Sequence, residues 1–244
     1  TSENTPCFIH TGPFANVSIG SSSIMADRMA LGLCDYVVTE SGFGVDCGGE
    51  KFFDIKCRYS GFKPDACVLV CSLRGLKAQS KKFNIVPGTK IDAAIFKEDL
   101  EALSEGSANL KKQIQNVRVF GVPVIVCLNV FEKDTAKELE FIAAKAIEFG
   151  AADCVESTAW ANGSKGVMEL AKSVVRHTRA RESDFKFLYE DSLPLKDKIE
   201  AIASKIYGAS GVDYSAIASD GLDLFSSEGF AHLPVCIAKT QFSL

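Results

Sequence analysis

The sequence has no excess of positive charge, no long apolar run, no C-x-x-C pair and only one tryptophan. Its 27 Lys and Arg stand against 31 Asp and Glu for a formal charge of −4 at pH 7. The two signs are interspersed rather than gathered in a block, which excludes the electrostatic footprint of a nucleic-acid-binding domain. No stretch approaches the roughly 20 apolar residues that span a bilayer, and Thr1-Ser2-Glu3-Asn4 lacks the basic and apolar regions of a secretory signal. Neither nucleic acid nor membrane is an expected partner. The nine cysteines are odd in number and sit mostly inside apolar runs (Cys67, Cys71, Cys127, Cys236), a pattern of reduced, buried thiols rather than of a zinc site. What is present is 244 residues, 47% hydrophobic and 24% charged, enough for one sizeable core or two modest ones.

Apolar runs alternate with helical periodicity along the chain. Strands are expected at 7–10, at Tyr36-Val37-Val38, over 66–73 as a run buried on both faces, at 122–128, 153–156, 185–189 and 234–238. Gly12-Pro13 turns the chain, and Ser21-Ser22-Ser23 offers a cap to the helix that follows. Helices are expected at 50–58, at 97–119 with an interruption near Gly106, at 167–178, over the stretch ending at Gly208, and at 215–226. Thr135-Ala136-Lys137-Glu138 is a capping box for a helix carrying Leu139, Ile142, Ala143, Ala146 and Ile147, stopped by Gly150. Between 78 and 97 the periodicity fails around Pro87-Gly88, so a loop and a domain seam are expected within 78–105. The order of elements makes the chain α/β, with mainly parallel sheets built of βαβ units.

Two places carry chemistry. Ser41 to Gly49 holds four glycines at the carboxyl end of an expected strand, with Glu40, Asp46 and Glu50 crowded around Phe43; this is where open α/β sheets place ligands. Such a carboxylate cluster can hold a cation through oxygen ligands, and carboxylates beside a helix start equally serve its dipole. Phe131 and Trp160 follow two strands at their carboxyl ends and are placed to face one another across a flat heteroaromatic. Read from the residues alone, a single tryptophan more often packs a core or a domain interface. Arg74 ends the 66–73 run, where it could meet an anion or make a surface ion pair. Gly163-Ser164-Lys165-Gly166 lacks the spacing of a phosphate-binding loop, and His177 reads as a solvated residue at a helix end.

Thr39-Glu40-Ser41-Gly42-Phe43-Gly44-Val45-Asp46, followed by Gly48 and Glu50-Lys51-Phe52, closely resembles the T-E-A-G-F-G-A-D-x-G-x-E-K-F segment of formate–tetrahydrofolate ligases, including the synthetase domain of eukaryotic C1-tetrahydrofolate synthases. Gly12-Pro13-Phe14-Ala15-Asn16, Phe120-Gly121-Val122-Pro123 running to Asn129 and Phe131, Lys205-Ile206-Tyr207-Gly208-Ala209 and Ala238-Lys239-Thr240 fit the same family in order. The resemblance spans nearly all of the chain. Such enzymes are roughly twice as long, so this chain is expected to be an internal portion.

The resemblance implies the remainder of a P-loop-type, partly Rossmann-like nucleotide domain over 1–105, a folate-binding βα domain over 106–209 and the start of a C-terminal domain over 210–244. It implies an ATP-dependent ligase in which formate becomes formyl phosphate and N10 of tetrahydrofolate attacks the formyl carbon. The pterin would stack between Phe131, in a Leu128-Asn129-Val130-Phe131 match to the family's I-N-x-F motif, and Trp160. Phe43 would lie near the adenine with Asp46, Glu50 and Lys51 beside it, and His10 is the histidine nearest the family's site. ATP with Mg²⁺, tetrahydrofolate, formate and a monovalent cation are the implied small molecules. A homo-oligomer in the cytoplasm is expected, or in the mitochondrion where a targeting segment is present.

The sequence has no match to the family's P-loop lysine or formate-binding arginine, which are expected upstream, so the isolated chain is expected to be inactive. The family's K-M-H-G-G reads Lys77-Ala78-Gln79-Ser80-Lys81 here, and its A-H-G reads Ser18-Ile19-Gly20. A non-catalytic folate-binding or oligomer-scaffolding relative therefore stays open as the alternative.

Overall fold

Three of the apolar runs build one parallel sheet in the order β1 (Cys67–Cys71), β2 (Val124–Asn129), β3 (Asp153–Ser157). A computed structural model of the chain describes residues 1–9, 14–83, 85, 88, 90–238 and 244; the expected roles of His10, Gly12-Pro13, Pro87 and Lys239-Thr240 lie outside the described residues. The described chain forms two compact units, one of Thr1–Thr5 and Pro64–Asp184, the other of Pro6–Lys63 and Phe185–Leu244.

The first unit holds the sheet. After β1 come α3 (Leu73–Ala78), a 3-10 turn (Ala93–Phe96) and α4 (Leu100–Arg118); α5 (Ala136–Glu148) joins β2 to β3. The short α6 (Ala159–Asn162), a 3-10 turn (Gly163–Val167) and α7 (Met168–Ala180) follow β3. Leu103, Ile114, Val117, Ile125, Val126, Ile142 and Ala146 are fully buried between sheet and helices. The capping box forms, with the Glu138 amide donating to Thr135 Oγ1. The 97–119 helix is not interrupted at Gly106. There α4 crosses α3 so closely that a Cβ would stand 1.8 Å from the Leu76 carbonyl oxygen, and glycine is what lets the helices touch.

β1 is narrower than expected and is not buried on both faces. Side chains alternate across a strand, and the register puts Val68, Val70, Cys127, Asp153 and Val155 on one face. Asp153 accepts from Ser173 and Arg176 of α7 on that face, but β1 lies at the sheet edge, where Val68 and Val70 remain 37% and 58% exposed. Among the cysteines, Cys67 and Cys71 are half-buried and Cys236 is exposed rather than buried. Burial pushes the thiols of Cys67, Cys71 and Cys154 up to about 12, so they stay protonated.

Described residues of the segment expected to be a seam are packed. Phe83, Ile95 and Ala102 form a cluster, and Lys77 donates to the carbonyls of Ile95 (3.3 Å) and Lys97 (2.7 Å). Lys77 also pairs with Glu138 at 2.6 Å, both buried, and Glu138 accepts from the Asp99 amide at 2.8 Å. The 105/106 boundary falls inside α4, and strands assigned to either side of it share one sheet. No hydrophobic periodicity announces this arrangement because it is held by charged groups meeting backbone carbonyls.

The second unit opens with α1 (Ile24–Leu31), capped by Ser23, whose Oγ accepts from the Ala26 amide. Two π-helical turns (Val45–Gly49 and Phe52–Lys56) run into α2 (Cys57–Ser60), so the helix expected at 50–58 begins five residues earlier. α8 (Leu195–Tyr207) ends at Gly208 as expected, and α9 (Ala216–Ser227) leads to a 3-10 turn (Phe230–His232). Four expected strands are absent here. Residues 7–9 and Tyr36-Val37-Val38 have no ladder partner among the described residues, the nearest pairing being the Ser21–Ser41 bridge. At 185–189 the backbone is satisfied by side chains instead: the Leu188 amide donates to Asp54 (2.9 Å), while the Leu188 and Tyr189 carbonyls accept from Lys205 (3.0 Å) and Arg58 (2.8 Å). At 234–238 the Val235 amide likewise donates to the Tyr189 hydroxyl.

Candidate active site

Each strand of the sheet delivers one residue to a common cavity at its carboxyl end. Beyond β1, the Ser72 hydroxyl caps α3 by accepting from the Gly75 amide (3.2 Å) and sets Arg74 in the first turn. Beyond β2, the Val130 amide donates to the Ser157 carbonyl (2.9 Å), which prolongs the parallel pairing by one step. Phe131 comes next, fixed by a turn in which its amide donates to Asp134 Oδ2 (2.9 Å) and its carbonyl accepts from the Asp134 amide (3.0 Å). Beyond β3, the Thr158 amide donates to the Gly166 carbonyl (3.0 Å) and Asn162 Nδ2 donates to Thr158 Oγ1 (3.0 Å), holding α6 and its Trp160.

The cavity measures about 700 Å³, and its lining includes Arg74, Phe96, Phe131, Lys133, Asp134 and Trp160. That volume is within the range of small-molecule sites, and the carboxyl ends of parallel strands are where such sites form. Trp160 is 85% exposed and Phe131 36%, so the tryptophan is not a core or interior packing residue. The Arg74 guanidinium lies 5.5 Å from the Phe131 ring centroid and 5.8 Å from that of Phe96; the Lys133 ammonium lies 5.0 Å from Phe96. All three distances are in the range of cation–π attraction. Phe96 and Lys133 were not legible as site residues. Phe96 sits where periodicity fails, and Lys133 is one lysine among many on a loop.

The glycine loop lies in the second unit. The Gly42 amide donates to the Gly20 carbonyl (2.8 Å), and a Cβ on Gly48 would stand 2.0 Å from the Gly42 oxygen. This close folding leaves Phe43 61% exposed at a φ of 62°, while Asp46, Glu50 and Lys51 are buried at 2%, 1% and 1%. Lys51 donates to the Ala15 carbonyl at 2.6 Å, and the Tyr207 hydroxyl donates to the Asp46 carbonyl at 2.7 Å. Burial, reinforced by the charge of Asp54 and a hydrogen bond with it, holds the Glu50 carboxyl well above the usual range. Asp54 is itself raised to about 6, chiefly by burial. Glu40 is exposed, and among the described residues no group of three or more His, Cys, Asp or Glu is placed to hold a metal ion. His177 is buried rather than solvated, its Nδ1 2.7 Å from Glu182. Gly163 to Gly166 form part of a 3-10 turn.

A parallel three-stranded sheet with an aromatic-walled cavity at its strand ends places the chain in the α/β class. The family model for formate–tetrahydrofolate ligase matches residues 1–244, and the chain belongs to that family. It is 47% identical over 247 residues to the cytoplasmic C-1-tetrahydrofolate synthase of Homo sapiens, covering all of this chain and 26% of that protein. It is 47% identical over 245 residues to the formate–tetrahydrofolate ligase of Chloroflexus aggregans, covering all of this chain and 43% of that one. The cytoplasmic C-1-tetrahydrofolate synthase of Schizosaccharomyces pombe is 44% identical over 256 residues, of which the chain covers 27%. The chain thus spans less than half the length of these relatives. No helix among the described residues is long and apolar enough to cross a membrane.

Proposed function

We propose that the polypeptide carrying this chain joins formate to tetrahydrofolate at the expense of ATP, through formyl phosphate, and that Phe131 and Trp160 clamp the pterin ring. The observation that carries the reading is that an 85% exposed tryptophan shares one cavity with Phe131 and Arg74. An exposed indole face is available to a flat ligand, and ring stacking is worth about 1–3 kcal/mol by analogy with bases on aromatic side chains. Held there, N10 of tetrahydrofolate would attack the formyl carbon and release phosphate, with positioning supplying much of the rate.

On this reading Phe43 meets the adenine, and Asp46, Glu50 and Lys51 fix its loop from behind through the buried contacts described above. The folate side is carried by the Pro64–Asp184 unit, Arg74 and Phe96 included, and Phe43 lies on the nucleotide side. Mg²⁺ accompanies ATP, and a monovalent cation, a homo-oligomeric assembly and a cytoplasmic location complete the proposal. The isolated 244-residue chain is inactive as a ligase, since its sequence holds no glycine-rich phosphate cradle.

Titrating tetrahydrofolate against the native polypeptide tests the clamp. Trp160 is the only tryptophan of the 244 residues, and loss of the emission change in Trp160→Phe assigns that change to the cavity. Phe131→Ala and Trp160→Ala each weaken binding about ten-fold, the equivalent of 1.4 kcal/mol. Unchanged emission at saturating tetrahydrofolate would sink the clamp. The departures at Lys77–Lys81 and Ser18–Gly20 favour a second reading, a non-catalytic folate-binding relative. ATP-dependent formation of 10-formyltetrahydrofolate by the native polypeptide decides between the two.

A further inference from the structure

α9 carries an apolar face that the described residues leave open. None of its twelve residues is buried, whereas α8, of similar length, buries Leu195, Ile202 and Ile206. Polar contacts fix its ends instead. The Ser215 hydroxyl accepts from the Ala218 amide (3.2 Å), Asp223 pairs with Lys196 (3.8 Å), and the Lys198 ammonium donates to the Ala231 and Leu233 carbonyls (2.7 and 3.0 Å) just beyond the helix. Ile217, Gly221, Leu224 and Phe225 recur at i, i+4, i+7 and i+8 and so share one face, on which Ile217, Leu224 and Phe225 are each more than half exposed. Helices in proteins draw most of their stability from packing such a face.

Gly221 and the charges define what fits there. Glycine is the poorest helix former after proline, and a Cβ at Gly221 would have no heavy atom within 4 Å. At Gly106 a helical glycine is accounted for by the close crossing of α3; at Gly221 no described residue takes that place. The only charges on α9 are Asp220 and Asp223, and no Lys, Arg or His lies between Lys205 and His232. A second α9 would bring like charges together, whereas a helix bordered by Lys or Arg would complement them. The human and Chloroflexus relatives are proteins of which this chain covers 26% and 43%, so there is ample chain to supply one.

We propose that the apolar face of α9 seats a helix from the part of the polypeptide outside these 244 residues, apolar on one side and bordered by Lys or Arg, which crosses α9 at Gly221. This stands apart from the folate reading of the cavity. The recurring i, i+4, i+7 spacing is the way one helix lays its face on another.

The test places a photoreactive benzophenone side chain at Ile217 of the purified native polypeptide, with Ser226, on the opposite side of α9, as the control position. Irradiation yields a cross-link within one polypeptide from the first position and not from the second, and peptide mass spectrometry places it in an apolar helix with Lys or Arg within a turn. Amide exchange over 216–225 gives a reading that needs no cross-linker. Gly221→Ala strengthens a helix that faces solvent and crowds one that is crossed, so exchange speeds in this variant, and Gly221→Leu speeds it further, by about ten-fold over the unsubstituted polypeptide. Slower exchange in Gly221→Ala, or equal cross-linking from the two positions, overturns the proposal. So does a cross-link joining two copies, which gives the face to self-association, and so does a native polypeptide no longer than this chain.

Discussion

Replacing Lys77 by methionine removes the cation on which the 93–99 segment hangs. Its ammonium meets Glu138 at 2.6 Å and the carbonyls of Ile95 and Lys97 at 3.3 and 2.7 Å. With the lysine gone, Glu138, 1% exposed, keeps only neutral donors, the Asp99 amide and the Thr135 hydroxyl. Two carbonyls lose a donor at the same time. Stranding one partner of a buried pair costs about 3–5 kcal/mol. Lys77→Met/Glu138→Leu should recover only part of that, because the Asp99 amide and both carbonyls remain unmet. Denaturant unfolding followed by far-ultraviolet circular dichroism measures the loss, and amide hydrogen exchange across 93–99 locates it. Because Phe96 lies in that segment and lines the cavity, ligand affinity falls with the loss of protection. A stability loss under about 1 kcal/mol with unchanged exchange at 93–99 would refute this account of why the segment is ordered.

Gly106→Ala places a methyl group 1.8 Å from the Leu76 carbonyl oxygen, and backbone cannot yield as a flexible side chain can; a loss of about 1–3 kcal/mol is expected, and a neutral outcome by thermal unfolding would show that α3 and α4 do not cross as described. The Glu50–Asp54 pair gives a pH dependence. Both folded-state values are raised, Asp54 from 3.8 to about 6, so the folded chain binds protons more tightly than the unfolded one and stability falls as pH rises from about 4 through 6. Asp54→Asn should flatten that slope in urea midpoints measured across the window; a slope of the opposite sign would show that burial does not raise these carboxyls.

What could be read from the residues was whatever depends on spacing. The Thr135 cap, the α5 periodicity, the stop at Gly208 and the 66–73 and 122–128 runs all appear as helices or strands, because burial of one face or of a whole run leaves a period in the sequence. The positions of Phe131 and Trp160 beyond the ends of two strands were legible for the same reason, while a ligand-facing role for them came from the family resemblance and not from spacing. What was not legible depends on charge meeting backbone. Lys77, Asp54, Arg58 and Lys205 satisfy carbonyls or amides of segments far away in sequence, so 93–99 is ordered without a pattern and 185–189 is extended without being a strand. Asp46, Glu50 and Lys51 read as an open polar cluster because polar residues are usually exposed; the close glycine packing that turns them inward has no linear signature.

The sheet register also acts as a ruler for the cavity. Cys71, Leu128 and Glu156 stand on one rung, and Arg74, Phe131 and Trp160 lie three, three and four residues beyond it. Removing a single residue from any strand would slide its cavity residue by about 3.3 Å and turn it to the opposite side of the sheet. That step is about the thickness of an aromatic ring. A lineage of this fold is therefore intolerant of changes of length within the three strands, and the spacing between rung and aromatic is the measurement by which a relative able to hold the proposed flat ligand would be told from one that has lost it.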